Sequence, residues 1–154
     1  MTPIERERSE RLRALAESLK GKPVEYGVDD CSIVPAQWVA DITGKEFDWP
    51  VYSSREEAER IIEEAGGLVN VWSGIARKIG LEPVYLAPGQ VPAVGDVGII
   101  ETSQGPVGGI LLFGATFLWR AERGVRVIGV RSHLLRREGD AVVRKPLILK
   151  VWRV

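Results

Sequence analysis

Residues Tyr26-Gly27-Val28-Asp29-Asp30-Cys31-Ser32 carry the single cysteine of a 154-residue chain. They stand where a loop of glycine and acidic residues meets an apolar segment running to Gly44. A cysteine at the start of a helix can act as a thiolate nucleophile, because the positive helix end and its free N–H groups favour the anion. Attack also requires a base to take the thiol proton and a group to orient that base. The one histidine, His133, is the weak candidate. Arg131, Arg136 and Arg137 around it oppose the imidazolium that a working base must become. Against the catalytic reading, a free cysteine often serves as a small buried hydrophobe. Asp29 and Asp30 also work against a thiolate. Both readings stand at this level.

Local pattern says which elements would hold these residues. Ile4, Leu12, Leu15 and Leu19 mark an amphipathic first helix over 1–20, ended by Gly21 and Pro23. Val34, Trp38, Val39 and Ile42 share a face of a second helix, closed by Gly44. Pro35 fits only in a first turn, so that helix starts near Cys31 or Ser32, with Asp30 or Ser32 as its cap. Ser54 and Glu57 form a capping box before "REEAERIIEEAGG", and "VNVWSGIARKIG" makes a further helix. From Asp96 the period changes to that of strands: "DVGIIE", "PVGGILLF", "TFLWRAE" and "VRVIGV". "RSHLLRREGD" reads as a helical turn, and "AVVRK" with "PLILKVWRV" as a closing hairpin. Helices followed by an antiparallel sheet define an α+β domain.

Composition sets the outer bounds. At 45% hydrophobic and 27% charged residues, the chain reads as one soluble globular domain over 1–154. No apolar run is long enough to span a membrane, and the charged N-terminal segment does not resemble a signal peptide. One cysteine and one histidine predict neither a disulfide nor a metal site, and no cofactor is expected. Net charge is zero, yet residues 21–119 carry six basic and fourteen acidic groups and residues 120–154 carry ten basic and three acidic. A solvated face explains this basic C-terminal segment more simply than a partner does. No basic motif interleaved with aromatics suggests nucleic acid.

"YG...DCS" before a helix, then "GDVGII", "GGILLFGATFL" and "GVRVI", resembles the NlpC-type branch of papain-like cysteine peptidases. That resemblance implies Cys31 as nucleophile, Tyr26 as an aromatic lining the site and Asp30 as the acidic residue before the nucleophile. On the strand that carries the family's histidine, this chain has Val107, or Gly108 with a one-residue slip. Where the next strand carries a His, Asn or Gln, it has Trp119. None of these takes a proton from a thiol. More narrowly, "YG-x-x-DC", "TG", a helix ending "GG", "GD" and a terminal "WRV" resemble an uncharacterised family encoded among tail genes of phages, prophages and gene-transfer agents.

The resemblance implies a papain-like NlpC-type fold and a tail-tip or tail-assembly role in a virion put together in the host cytoplasm. Its partners would be other tail proteins and, through the cleft, peptidoglycan. Catalysis is expected to be lost or residual. The alternative is an active cysteine endopeptidase or amidase cutting peptidoglycan stem peptides. A third reading is a module that holds a peptide or glycan in the old cleft. Trp49, beside Pro50 in a loop, is the tryptophan expected at a surface contact, while Trp38, Trp72 and Trp119 are expected to pack in the core.

Overall fold

The computed structural model describes residues 1–86, 92–130 and 133–154, with residues 133, 134, 136, 145 and 146 described by backbone alone. Helix α1 (Pro3–Leu19) opens on a complete capping box, in which Thr2 accepts from the Glu5 N–H and Glu5 accepts from the Thr2 N–H. It buries Leu12 and Leu19 but leaves Ile4 exposed. Helix α2 (Ile33–Thr43) is apolar along its length and buries Val34, Pro35, Ala36, Trp38 and Val39. Gly44 ends it, as its position after the last apolar residue predicts. In α3 (Arg55–Ala65) no residue is fully buried, whereas α4 (Leu68–Ile79) buries Leu68, Trp72, Ile75 and Ala76. The box ahead of α3 forms with a shift: Ser54 accepts from the Glu57 N–H, and Glu57 reaches back to the Ser53 N–H.

Strands β1 (Val97–Thr102), β2 (Gly105–Leu112), β3 (Thr116–Arg120), β4 (Val125–Gly129) and β7 (Ile148–Trp152) form one antiparallel sheet in the order β4-β3-β2-β1-β7. Side chains alternate between its faces. Ile99 and Ile110 join Trp38, Val39, Leu68 and Trp72 in the core between helices and sheet. Ile100, Leu111 and Phe117 pack together in a second cluster. The α+β expectation holds.

The C-terminal pairing differs from the sequence reading. Residues 131 and 132 lie outside the described residues, and the rest of "RSHLLRREGD" is strand β5 (His133–Glu138) rather than a helical turn. It pairs with β6 (Ala141–Pro146) in a separate two-stranded sheet, with Glu138 opposite Ala141 across Gly139-Asp140. Such a two-residue connection containing glycine is a hairpin signal. Strand β7 therefore leaves β6 and pairs with β1, where Val151 and Trp152 become 3% and 2% exposed. Burying an apolar strand against the main core outweighs pairing it with a polar neighbour.

Asp96 anchors this closing strand. Its fully buried carboxylate accepts from the N–H groups of Ala93 and Val154 and pairs with Arg153 at 3.2 Å. Burial pushes its pKa above the ordinary carboxylate range, outweighing the Ala93 N–H and Arg153, which pull it down. The folded state therefore binds this proton more tightly than the unfolded chain does. Its contribution to stability rises as pH falls through the folded pKa and levels off below the unfolded one. Melting curves of the wild type and Asp96→Asn should show the wild type gaining on the variant as pH falls from neutral into the carboxylate range. A gap that narrows on acidification would contradict this assignment.

Candidate functional site

The loop that presents Cys31 is tied by one side chain. The Asp30 carboxylate accepts from the N–H groups of Gly27 (2.8 Å), Ser32 (2.9 Å) and Ile33 (3.0 Å), and from the Tyr52 hydroxyl (2.7 Å). Asp30 is thus the working cap of α2, and the Ser32 side chain makes no capping bond. Gly27 is needed for this knot: its φ is 84°, and a Cβ there would stand 1.9 Å from the Tyr52 carbonyl oxygen. Tyr52 carries no sequence signal of its own. Only the folded loop shows it as the fourth donor to Asp30.

A second clamp comes from β3. The Arg120 guanidinium is buried and donates to the carbonyls of Asp29 (3.1 Å), Pro23 (3.0 Å) and Gly124 (2.7 Å). It also meets the Asp29 carboxylate at 3.4 Å, and Lys22 lies 3.5 Å from that group's other oxygen. Burial raises the pKa of Asp29, but the Glu25 N–H, Arg120 and Lys22 together outweigh it and hold the carboxyl below its usual range. The strand end and the loop before Cys31 are locked in one network.

Cys31 opens on a cleft of about 450 Å³ whose walls include Tyr26, Trp49, Tyr52, Val107, Trp119 and Arg126. Cys31, Tyr26, Asp30 and Trp49, read as site residues from the sequence, therefore come together. Trp49 is a wall rather than a free surface ring, since it packs on Trp72 at 5.0 Å between ring centroids. Trp38 and Trp72 are core residues, as expected, while Trp119 is only half-buried and faces the cleft. His133 is not placed with them by the topology: its backbone begins β5 in the separate hairpin, and its side chain lies outside the described residues.

The thiol itself is not set up as an anion. Burial raises its pKa above the usual thiol range, and the charge of Asp30 raises it further. The Gly108 N–H, its own backbone N–H and Ser32 oppose this without cancelling it. The helix start alone would favour a thiolate, and here desolvation wins. The neighbouring phenols are shifted in the same direction. Burial raises the pKa of Tyr26, and burial with the hydrogen bond to Asp30 raises that of Tyr52. The described cleft lining contains no histidine or lysine. Among the described residues, no group of three His, Cys, Asp or Glu side chains converges as a metal site would require. The arrangement can hold a ligand against aromatic walls, and the titratable groups of its described lining are carboxylates (Asp30, Glu59 and Glu122), phenols and arginines beside the thiol.

Fold and site together define an α+β domain with an aromatic cleft at a cysteine-bearing helix start. The chain belongs to the DUF6950 family, a domain of unknown function, whose model matches residues 5–153. No curated protein and no solved structure matches it.

Proposed function

We propose that this chain is a phage or prophage tail-tip or tail-assembly component that retains an NlpC-type cell-wall peptidase fold. Its cleft holds a wall peptide or glycan without cutting it. The tail placement rests on the short sequence motifs, from "YG-x-x-DC" to "WRV". The loss of catalysis rests on one observation: Cys31 is a desolvated thiol in a cleft whose described lining offers no imidazole or amine. Without an imidazole or amine, the thiol proton lacks the acceptor that an attacking cysteine ordinarily uses. The aromatic side chains lining the cleft suit the faces of sugar rings or the side chains of an extended peptide.

The test combines labelling, digestion and binding. Alkylation of Cys31 at pH 8 should be slower than that of a free thiol, and purified cell walls should release no fragments. Wall sedimentation should carry the protein down equally well for wild type and Cys31→Ala, and less well for Trp49→Ala and Trp119→Ala. Rapid alkylation together with wall digestion that Cys31→Ala abolishes would establish the endopeptidase or amidase instead, with His133 or another group as its base.

A further inference from the structure

The hairpin outside the main sheet has an unpartnered face. In its register Leu135 stands opposite Arg144, and Arg137 stands opposite Val142. Opposed residues share a face, as do residues two apart on one strand, so these four side chains form one checkerboard. Its apolar members are 67% (Leu135) and 62% (Val142) exposed, and both arginines are exposed as well. Neither arginine has a carboxylate partner among the described residues. A two-stranded ribbon standing alone is marginal in water, so two aliphatic side chains facing solvent on it invite cover.

The complementary surface is present on the same molecule. Helix α3 carries Glu63 and Glu64 in its last turn with no basic residue there. Carboxylates at the negative end of a helix are unfavourable until a cation approaches them. Both side chains are exposed. The wider charge distribution agrees, with net −8 over residues 21–119 and net +7 over residues 120–154. A basic hairpin face and an acidic helix end on one chain are complementary to those of a second copy, in head-to-tail order.

We propose that copies of this chain associate heterologously, the β5–β6 face of one seating on the C-terminal half of α3 of the next. The arginines then compensate the exposed helix end, and Leu135 and Val142 leave water. The contact uses different patches on the two copies, so it propagates into a ring or an open row rather than stopping at a symmetric dimer. This assignment is independent of what the cleft holds.

Sedimentation equilibrium of the full chain tests it. The wild type should self-associate, and the association should weaken by roughly tenfold or more between about 50 and about 500 mM salt, since exposed charges are screened over that range. Arg137→Glu/Arg144→Glu and Glu63→Lys/Glu64→Lys should each be monomeric, with circular dichroism showing both folded. Mixing the two double variants should restore the association of the wild type, because the native contact forms one way round and the two charge-reversed patches attract each other the other way round. A monomeric wild type, a glutamate variant that still self-associates, or a mixture that stays monomeric would each overturn the proposal. A partner of another kind on the hairpin would leave the wild type monomeric and belongs to those outcomes.

Discussion

Arg120→Met should lower folding stability by about 3–5 kcal/mol, the range for removing one partner of a buried ion pair. The Arg120 side chain is fully buried, and its guanidinium serves the backbone carbonyls of Asp29 and Pro23 in the loop and of Ala121 and Gly124 in the β3–β4 turn. Methionine fills much of the volume and makes none of these bonds. Around it, Val24 donates to the Glu122 carbonyl at 2.7 Å and Gly124 to the Lys22 carbonyl at 3.0 Å, so the whole seam between the loop and the β3–β4 turn loosens together. Arg120→Lys should recover little, because an ammonium cannot span acceptors that a planar fork reaches from several sides. Urea denaturation of the two variants beside Asp29→Asn gives the measurement. A loss below about 1 kcal/mol for Arg120→Met, the range of an exposed pair, would show that this clamp is not what holds the loop. The functional signature is equally direct: alkylation of Cys31 should accelerate in Arg120→Met, since the loop before the thiol has lost its anchor.

The second large effect lies at Gly108. Placing a histidine on β2 tests the proposed loss of catalysis, and strand alignment offers Val107 or Gly108 for it. The structure separates them. A Cβ on Gly108 would stand 2.7 Å from the Cys31 carbonyl oxygen and 3.5 Å from the Pro35 side chain. The close approach of β2 to the first turn of α2 depends on that missing methyl. Gly108→Ala should therefore cost about 1–3 kcal/mol through overpacking, and Gly108→His more, since neither backbone has room to retreat. Gly108→His should yield a less stable protein with no hydrolytic activity. Val107→His starts from a cleft-lining position and should keep stability close to wild type. Thermal melts with a wall-digestion assay decide this. A stable Gly108→His protein that digests walls would remove the steric argument and the degenerate reading at once.

Much of this could be read along the chain because the signals are short-range. Pro35 needed a first turn, and Gly44 followed the last apolar residue, so the limits of α2 and the place of Cys31 at its start followed from local backbone chemistry. Strands β1 to β4 announced themselves by period and turn residues. Adjacent leucines at 134 and 135 fit a helix or a strand equally well, and there only the turn at Gly139-Asp140 carried the answer.

The sequence by itself determined that one cysteine sits at a helix start behind an acidic cap, ahead of an antiparallel sheet, in a chain whose charge is divided between its parts. Tertiary structure decided what surrounds that thiol. The answer depends on Gly108 closing over Cys31 from 77 residues away in sequence and on Arg120 locking Asp29 across a separation of 91. Burial there raises the thiol's proton affinity. Local pattern reports which groups exist and which element carries them. Desolvation and close backbone approach arise only when distant segments pack, and at this well-placed cysteine desolvation favours the neutral thiol.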